Sequence, residues 1–329
     1  VDALYHGDYS KWLKLANSVK LRLAMRICYV KPDLAKQYAM EAVRDGVMET
    51  ADDSALFQSW GSITIINPLE KIWNGYSDTR MGASMDSYLN GYNDPRLPVY
   101  FQPVTEGDNK GEYRGVANGM PNPQQDDYKA MSAPNVQEKS TDSPLRWMMA
   151  SEVAFLRAEG AMRGWTAEMG GTAEEFYNKG IELSFLENGL SADAAARYAA
   201  DETSKPTDFT DVSAANTKYN ISALGKITIK WNAGASEEEQ LERIITQKWI
   251  AMFPNGTEAW SEFRRTGYPL IFPVRSNYPT SGVDTNKQIR RMVFPQSEYS
   301  NNGAAVQEAV KLLGGPDNGG TKLWWDKKN

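Results

Sequence analysis

Residues 150–189 read ASEVAFLRAEGAMRGWTAEMGGTAEEFYNKGIELSFLENG, and their pattern decides the fold. Val153, Leu156 and Gly160 form one row at three- and four-residue steps, while Phe155, Ala158 and Met162 form another. A helix with two apolar rows is buried on two sides. Thr172 and Glu175 have the spacing of a capping box. They head a partner helix through Phe176, Tyr177, Gly180, Ile181 and Leu183 to Gly189. Gly160 and Gly180 each cost about 1 kcal/mol relative to alanine in a helix interior; close approach of the two helix axes is the expected compensation. Small residues facing each other in a helix pair mark tetratricopeptide-like units.

Two further pairs flank this one. Near the start, Trp12, Leu15, Ala16, Val19, Leu23 and Ile27 form an apolar stripe, with Asp8 or Ser10 placed to cap it. Lys31-Pro32 ends that helix. Asp33 is expected to cap a second helix that closes at Gly46, which makes an α-hairpin over 1–46. Later, Ser236 and Glu239 form another expected capping box ahead of Leu241, Ile244, Ile245, Lys248, Trp249 and Met252. Pro254-Asn255-Gly256 turns the chain into Thr257–Arg265, ended by Gly267. A last helix is expected over Ala304–Leu313, followed by a glycine-rich tail with Trp324 and Trp325. The insertion Ser191–Asn232 breaks any regular period.

Between Met48 and Leu145 the texture changes. Turn formers crowd in at Asn67-Pro68, Asn74-Gly75, Asn90-Gly91, Asn93-Asp94-Pro95, Asn118-Gly119 and Pro121-Asn122-Pro123. Short helices are expected at Leu69–Trp73 and Ser84–Asn90. So long an irregular connection inside a compact chain is usually functional, so 48–145 is read as the ligand-facing region and 150–329 as helix pairs with a closing region. The fold class is therefore mainly α, with large irregular loop insertions.

Composition narrows the function. The chain has 329 residues, 41% hydrophobic and 24% charged, with a formal charge of −6. That acidity argues against nucleic acid and against anionic membrane surfaces. No apolar run approaches the ~18 residues of a membrane span. One cysteine, Cys28, excludes an intrachain disulfide, and one histidine, His6, excludes a zinc centre built on several histidines. Ten Trp, sixteen Tyr and ten Phe are an unusual endowment, and many lie outside the helical patterns, as lids over a core or platforms for a ligand.

Chemistry is harder to find. Neither phosphate-loop pattern occurs. Asp108-Asn109-Lys110-Gly111-Glu112 resembles a calcium loop, but Lys110 occupies a liganding position; no cofactor is expected, and a calcium site of scattered carbonyls is not legible in sequence. Carboxylate pairs of the kind a glycosidase uses are Glu152 with Glu159, Asp126 with Asp127, and Asp52 with Asp53, with Glu298 alone. Glu152 and Glu159 read as solvated or hairpin-bridging groups, and Asp126-Asp127 as a turn.

Four segments, Lys11–Ile27, Glu152–Trp165, Ile245–Phe263 and Arg290–Asn302, together resemble the SusD/RagB family. Asn93–Phe101 (NDPRLPVYF) and Gly111–Gly115 look like the SusD-like subgroup, and Phe294-Pro295-Gln296-Ser297-Glu298 is similar to the family's closing motif. The resemblance implies a tetratricopeptide-like helical-hairpin superhelix over 1–329 and an outer-membrane lipoprotein at the cell surface. It implies non-enzymatic capture of a nutrient, an oligosaccharide or else a peptide, for a SusC-like TonB-dependent transporter. It also implies that the first third of the mature protein, with its lipid-bearing cysteine, precedes Val1. By position in the irregular region, Trp60, Trp73, Tyr76 and Tyr113 are expected as stacking platforms, with Arg80 and Asn118 as hydrogen-bond partners. A glycoside hydrolase and an α-solenoid adaptor for other proteins are the competing readings.

Overall fold

The computed structural model describes residues 2–121, 124–135 and 143–328; the turn expected at Asn122-Pro123 lies outside them. Among the described residues nine helices have eight or more residues: α1 (Tyr9–Arg26), α2 (Pro32–Arg44), α3 (Ala83–Gly91), α4 (Ala150–Gly160), α5 (Ala173–Leu186), α6 (Ala192–Ala199), α7 (Glu237–Ala251), α8 (Gly256–Thr266) and α9 (Gln296–Leu313). Two short strands, β1 (Ala55–Phe57) and β2 (Leu145–Met148), pair antiparallel with a bulge between Ala55 and Leu56. The molecule is mainly helical, as the periodicity predicts.

Helix α4 is the axle. Every residue from Ala150 to Gly160 except Arg157 is buried, which is why its apolar residues are spread around the helix instead of along one stripe. One side meets α1, and with α2 encloses Leu21, Met25, Ala35, Met48, Val153 and Leu156. The other side meets α5 and α7, where Phe155, Tyr177, Ile181, Phe185, Ile244 and Ile245 form the second core. An added Cβ on Gly180 would lie 2.7 Å from the Phe155 ring, so this glycine lets α5 close onto α4. Gly160 does not face it. Its Cβ would meet the Met169 sulfur at 2.7 Å, in the turn that follows α4.

The caps follow the sequence closely, with two departures. Asp8 accepts from the Ser10 and Lys11 amides, and Thr172 and Glu175 form the complete capping box. Ser236 accepts from the Glu239 amide, but Glu239 turns to Arg243 (3.2 Å) instead of completing a box. Asp33 does not cap α2: Pro32 already occupies the first turn, where its missing N–H costs nothing.

The stripe expected on α1 is rotated. Leu23 is 60% exposed and Trp12 39%, whereas Leu15, Ser18, Leu21 and Met25 are buried. The reason is polar recruitment: Asn17 Nδ2 donates to the Asp45 and Gly46 carbonyls, and Ser18 Oγ accepts from the Met48 amide, so the turn after α2 draws these polar residues inward. The last helix begins earlier than Ala304, at Gln296, with a break in its dihedrals at Asn302.

A seam of buried charge ties the helices together. Glu152 and Glu159, expected as solvated or hairpin-bridging groups, are 2% and 0% exposed. Glu152 takes Arg22 of α1 (2.6 Å), and Glu159 takes Arg265 of α8 (2.6 Å) and Arg163 (2.7 Å). Glu262 takes Lys248 (2.8 Å), Arg265 (2.7 Å) and Arg26 (3.3 Å), and Arg26 also meets Glu258. Burial pushes Glu159 up, but Arg265 and Arg163 outweigh it and hold its carboxyl at about 2. Hairpin bridging is thus correct and solvation is not.

The tail closes over this seam. Asp326 is buried against Arg290 (2.8 Å to Nε), and the Trp325 ring lies 5.1 Å from the Arg26 guanidinium and 4.9 Å from that of Arg264.

Candidate functional site

The NDPRLPVYF segment builds the floor of the loop-rich face. Asn93 takes a positive φ of 47° to turn the chain off α3, and Arg96 is then wholly buried. Its guanidinium meets Asp94 (2.6 Å), Ser184 Oγ (2.9 Å) and Gln247 Oε1 (3.0 Å), locking the segment to α5 and α7. Tyr100 and Phe101 follow, and their rings lie 4.8 and 5.0 Å from Phe253 at the end of α7.

Beside them the backbone closes a wall. The Val116 amide donates to the Met81 carbonyl (2.8 Å) and the Ala83 amide to the Val116 carbonyl (2.9 Å). A Cβ on Gly115 would lie 2.9 Å from the Gly82 carbonyl oxygen, so only glycine permits this contact. Buried Asp86 secures it by accepting from the Gly115 amide (2.6 Å); burial pushes Asp86 above its ordinary value, against the pull of that amide, Asn90 and Arg114.

Three adjoining recesses of about 250, 280 and 400 Å³ lie on this face. The first and second share Leu69, Pro134, Phe253 and Pro254. The second and third share Arg80, Met81, Gly82 and Asn118. Together they form a trough with an apolar, ring-bearing floor and polar ends. Ser77 and Gln288, two residues with positive φ (54° and 58°), line it; such backbone is costly and gathers at binding sites. Two depressions of about 620 and 780 Å³ are larger, but Lys230 and Lys179 within them are already paired with Glu202 and Glu182.

Of the six expected site residues, Arg80 and Asn118 line the trough, and Trp73 and Tyr76 sit on the turn beside it. Arg80 lines the trough, its guanidinium 4.7 Å from the Trp73 ring centroid. It donates to the carbonyls of Lys129 (3.1 Å), Ser77 (3.0 Å) and Thr79 (2.9 Å), and burial draws it below its ordinary value while Asp78 opposes. Asn118 is exposed beside it, within reach of Gly82. Trp73 and Tyr76 ride on a π-helical turn, Lys71–Tyr76, a geometry frequent at functional sites. Tyr76 is 62% exposed, with Lys71 Nζ 6.0 Å from its ring.

Trp60 and Tyr113 lie elsewhere. Trp60 stacks on His6 at 3.7 Å, beside the start of the first hairpin. Tyr113 is half-buried against the second core, and its carbonyl accepts from Asn90. Sequence reasoning missed Tyr100, Phe253 and Arg146. The signal for Phe253 was an aromatic residue directly before the Pro254-Asn255-Gly256 turn, read only as a chain reversal. Arg146 gave no signal, because it faces the trough only through strand pairing with β1.

The model for SusD-like proteins, described as Susd and RagB outer membrane lipoprotein, matches residues 1–326. The chain belongs to the SusD-like family. No curated protein sequence matches it. Among solved structures, a chitin-binding SusD homolog from Flavobacterium johnsoniae is 43% identical with a TM-score of 0.91, covering 100% of this chain and 66% of that one. A SusD-like protein from Bacteroides thetaiotaomicron is 45% identical with a TM-score of 0.91, covering 99% and 66%. A SusD homolog from Bacteroides vulgatus is 38% identical with a TM-score of 0.92, covering 100% and 65%. This SusD-like chain therefore spans about two thirds of the length of the structures it matches. Among its described residues no helix is long and apolar enough to cross a membrane.

Proposed function

We propose that this SusD-like chain captures an oligosaccharide at the outer-membrane surface and passes it, chemically unaltered, to a SusC-like TonB-dependent transporter. The observation that carries the reading is the trough, whose ring-bearing floor and Arg80–Asn118 rim suit a ligand with flat apolar faces and hydroxyl edges. Aromatic rings hold such faces at low entropic cost, having only two side-chain torsions. The chitin-binding relative makes N-acetylated glycans the first ligands to try.

Capture without chemistry is supported by where the carboxylates are engaged. Glu152 and Glu159 are committed to buried ion pairs. Asp53 meets Lys14 and the amides of Glu49 and Thr50. Asp126 meets Lys129, and Asp127 accepts from Ser213. A general acid needs a free proton within reach of the leaving oxygen, and these groups are held elsewhere. Calorimetric titration of the intact protein with chito-oligosaccharides, followed by chromatography of the recovered ligand, tests the reading. Saturable heat with an unchanged ligand is expected. A shortened ligand would overturn it in favour of hydrolysis; silence with every glycan and saturation by peptides would replace the ligand class.

A further inference from the structure

Arg80 and Arg146 both line the trough, but their guanidiniums are in different states. Arg80 donates to the backbone carbonyls of Ser77, Thr79 and Lys129. Arg146 is anchored on one side only: its Nη2 donates to Asn188 Oδ1 at 2.9 Å and reaches the Glu187 carbonyl at 3.4 Å. Its Nη1 is shielded from solvent and has no hydrogen-bond partner among the described residues. An unmet donor on a charged group in a low-dielectric setting is costly, and water, an ion or a ligand can supply the missing acceptor.

The surroundings select the acceptor. The recess that Arg146 closes is also lined by Asn67, Tyr100, Asn135, Asn188 and Phe253, with no carboxylate among the described residues that line it. Asn188 is fixed by Ser184 and Tyr100, and Asn67 donates to the Ser143 carbonyl. Glu187, whose charge Arg146 feels, turns its carboxylate oxygens to Ser54 and Ser151. Arg146 makes no ion pair among the described residues, although the chain as a whole carries a formal charge of −6. A planar guanidinium with an unmet donor matches a carboxylate better than it matches a hydroxyl.

We infer that Arg146 is a specificity-determining residue that receives the carboxylate of an acidic sugar at this end of the trough, so that the preferred ligand is an oligosaccharide containing uronic acid. This rests on the capture reading above and narrows it. Phe253 and Tyr100 supply the ring faces against which that sugar stacks, and Asn188 holds the guanidinium in register.

The test compares two tetrasaccharides on the intact protein by calorimetry: chitotetraose, which is neutral, and a hyaluronan fragment, which alternates glucuronate with N-acetylglucosamine. The hyaluronan fragment should bind about tenfold tighter, equivalent to about 1.4 kcal/mol. Arg146→Gln should bring the ratio of the two affinities to about one. In the unsubstituted protein the advantage should shrink as salt is raised to about 1 M, where the Debye length is about 3 Å; this series decides the matter even where Arg146→Gln does not fold. Equal affinity for the two probes, an advantage indifferent to salt, or equal loss of both in Arg146→Gln would overturn the inference and leave glycan capture standing. Binding of neither probe, nor of any other glycan, would remove both.

Discussion

In the helical frame, buried charge meets buried charge; along the trough, the two arginines meet carbonyls and an amide instead of carboxylates. The seam joining α1, α4, α7 and α8 sets Glu152, Glu159, Glu258 and Glu262 against Arg22, Arg26, Lys248 and Arg265. Along the trough, Arg80 is satisfied by carbonyls and Arg146 is satisfied in part. A cation already bonded to a carboxylate has nothing left to offer a ligand. The seam therefore belongs to stability, and the trough is the surface proposed for recognition.

The comparison breaks most sharply at Arg265. Arg265→Ala strands Glu159 and Glu262 in the interior, and loss of one partner of a buried pair costs about 3–5 kcal/mol. Urea unfolding should show a correspondingly lower midpoint, whereas Arg80→Ala should move that midpoint by less than about 1 kcal/mol, because its partners are backbone carbonyls near the surface.

Gly180→Ala comes next. Its Cβ would press on Phe155 at 2.7 Å, and overpacking of this kind costs about 1–3 kcal/mol. A drop in thermal midpoint is expected with no change in ligand affinity measured on the folded protein.

Acid should act on the frame through Glu159. Its folded pKa lies below its ordinary value of 4.5, at about 2. The stabilisation it gives is therefore present above about pH 4.5 and lost as pH falls toward 2. Unfolding measured across that window should show the loss, and Glu159→Gln, less stable at neutral pH, should lose less of its remaining stability there.

The smallest effects sharpen the recognition side. Trp73→Ala removes the face on which Arg80 rests and should weaken glycan binding about three- to tenfold, in keeping with a cation–π contact of about 0.5–1 kcal/mol plus lost stacking. Trp60→Ala, stacked on His6 away from the trough, should change affinity by less than about twofold. A reversed order in calorimetry would move the ligand surface to the start of the first hairpin.

Much of the frame was legible because helices declare themselves locally. Thr172 and Glu175 signal a start, and Gly267 an end, through interactions within a few residues. The exposed and buried faces of α1 were not legible, because Asn17 and Ser18 are buried to serve a turn almost thirty residues away. The trough was partly legible. Arg80 and Trp73 could be named from their place in the irregular region, since they are seven residues apart on one connection. Phe253, Tyr100 and Arg146 could not, because three distant segments meet there only after α7 has packed on α4.

The amino-acid sequence by itself determined the helices, most of their caps, the family to which the chain belongs and the extent of the irregular region. Those depend on short-range periodicity, turn chemistry and recurrent motifs. Tertiary structure alone decided that Glu152 and Glu159 are buried partners of arginine, that Arg96 is wholly enclosed, and that Arg146 keeps an unpartnered donor. Burial and charge pairing are set by segments distant in sequence, and the free energy of an ionised group depends on its neighbours in space.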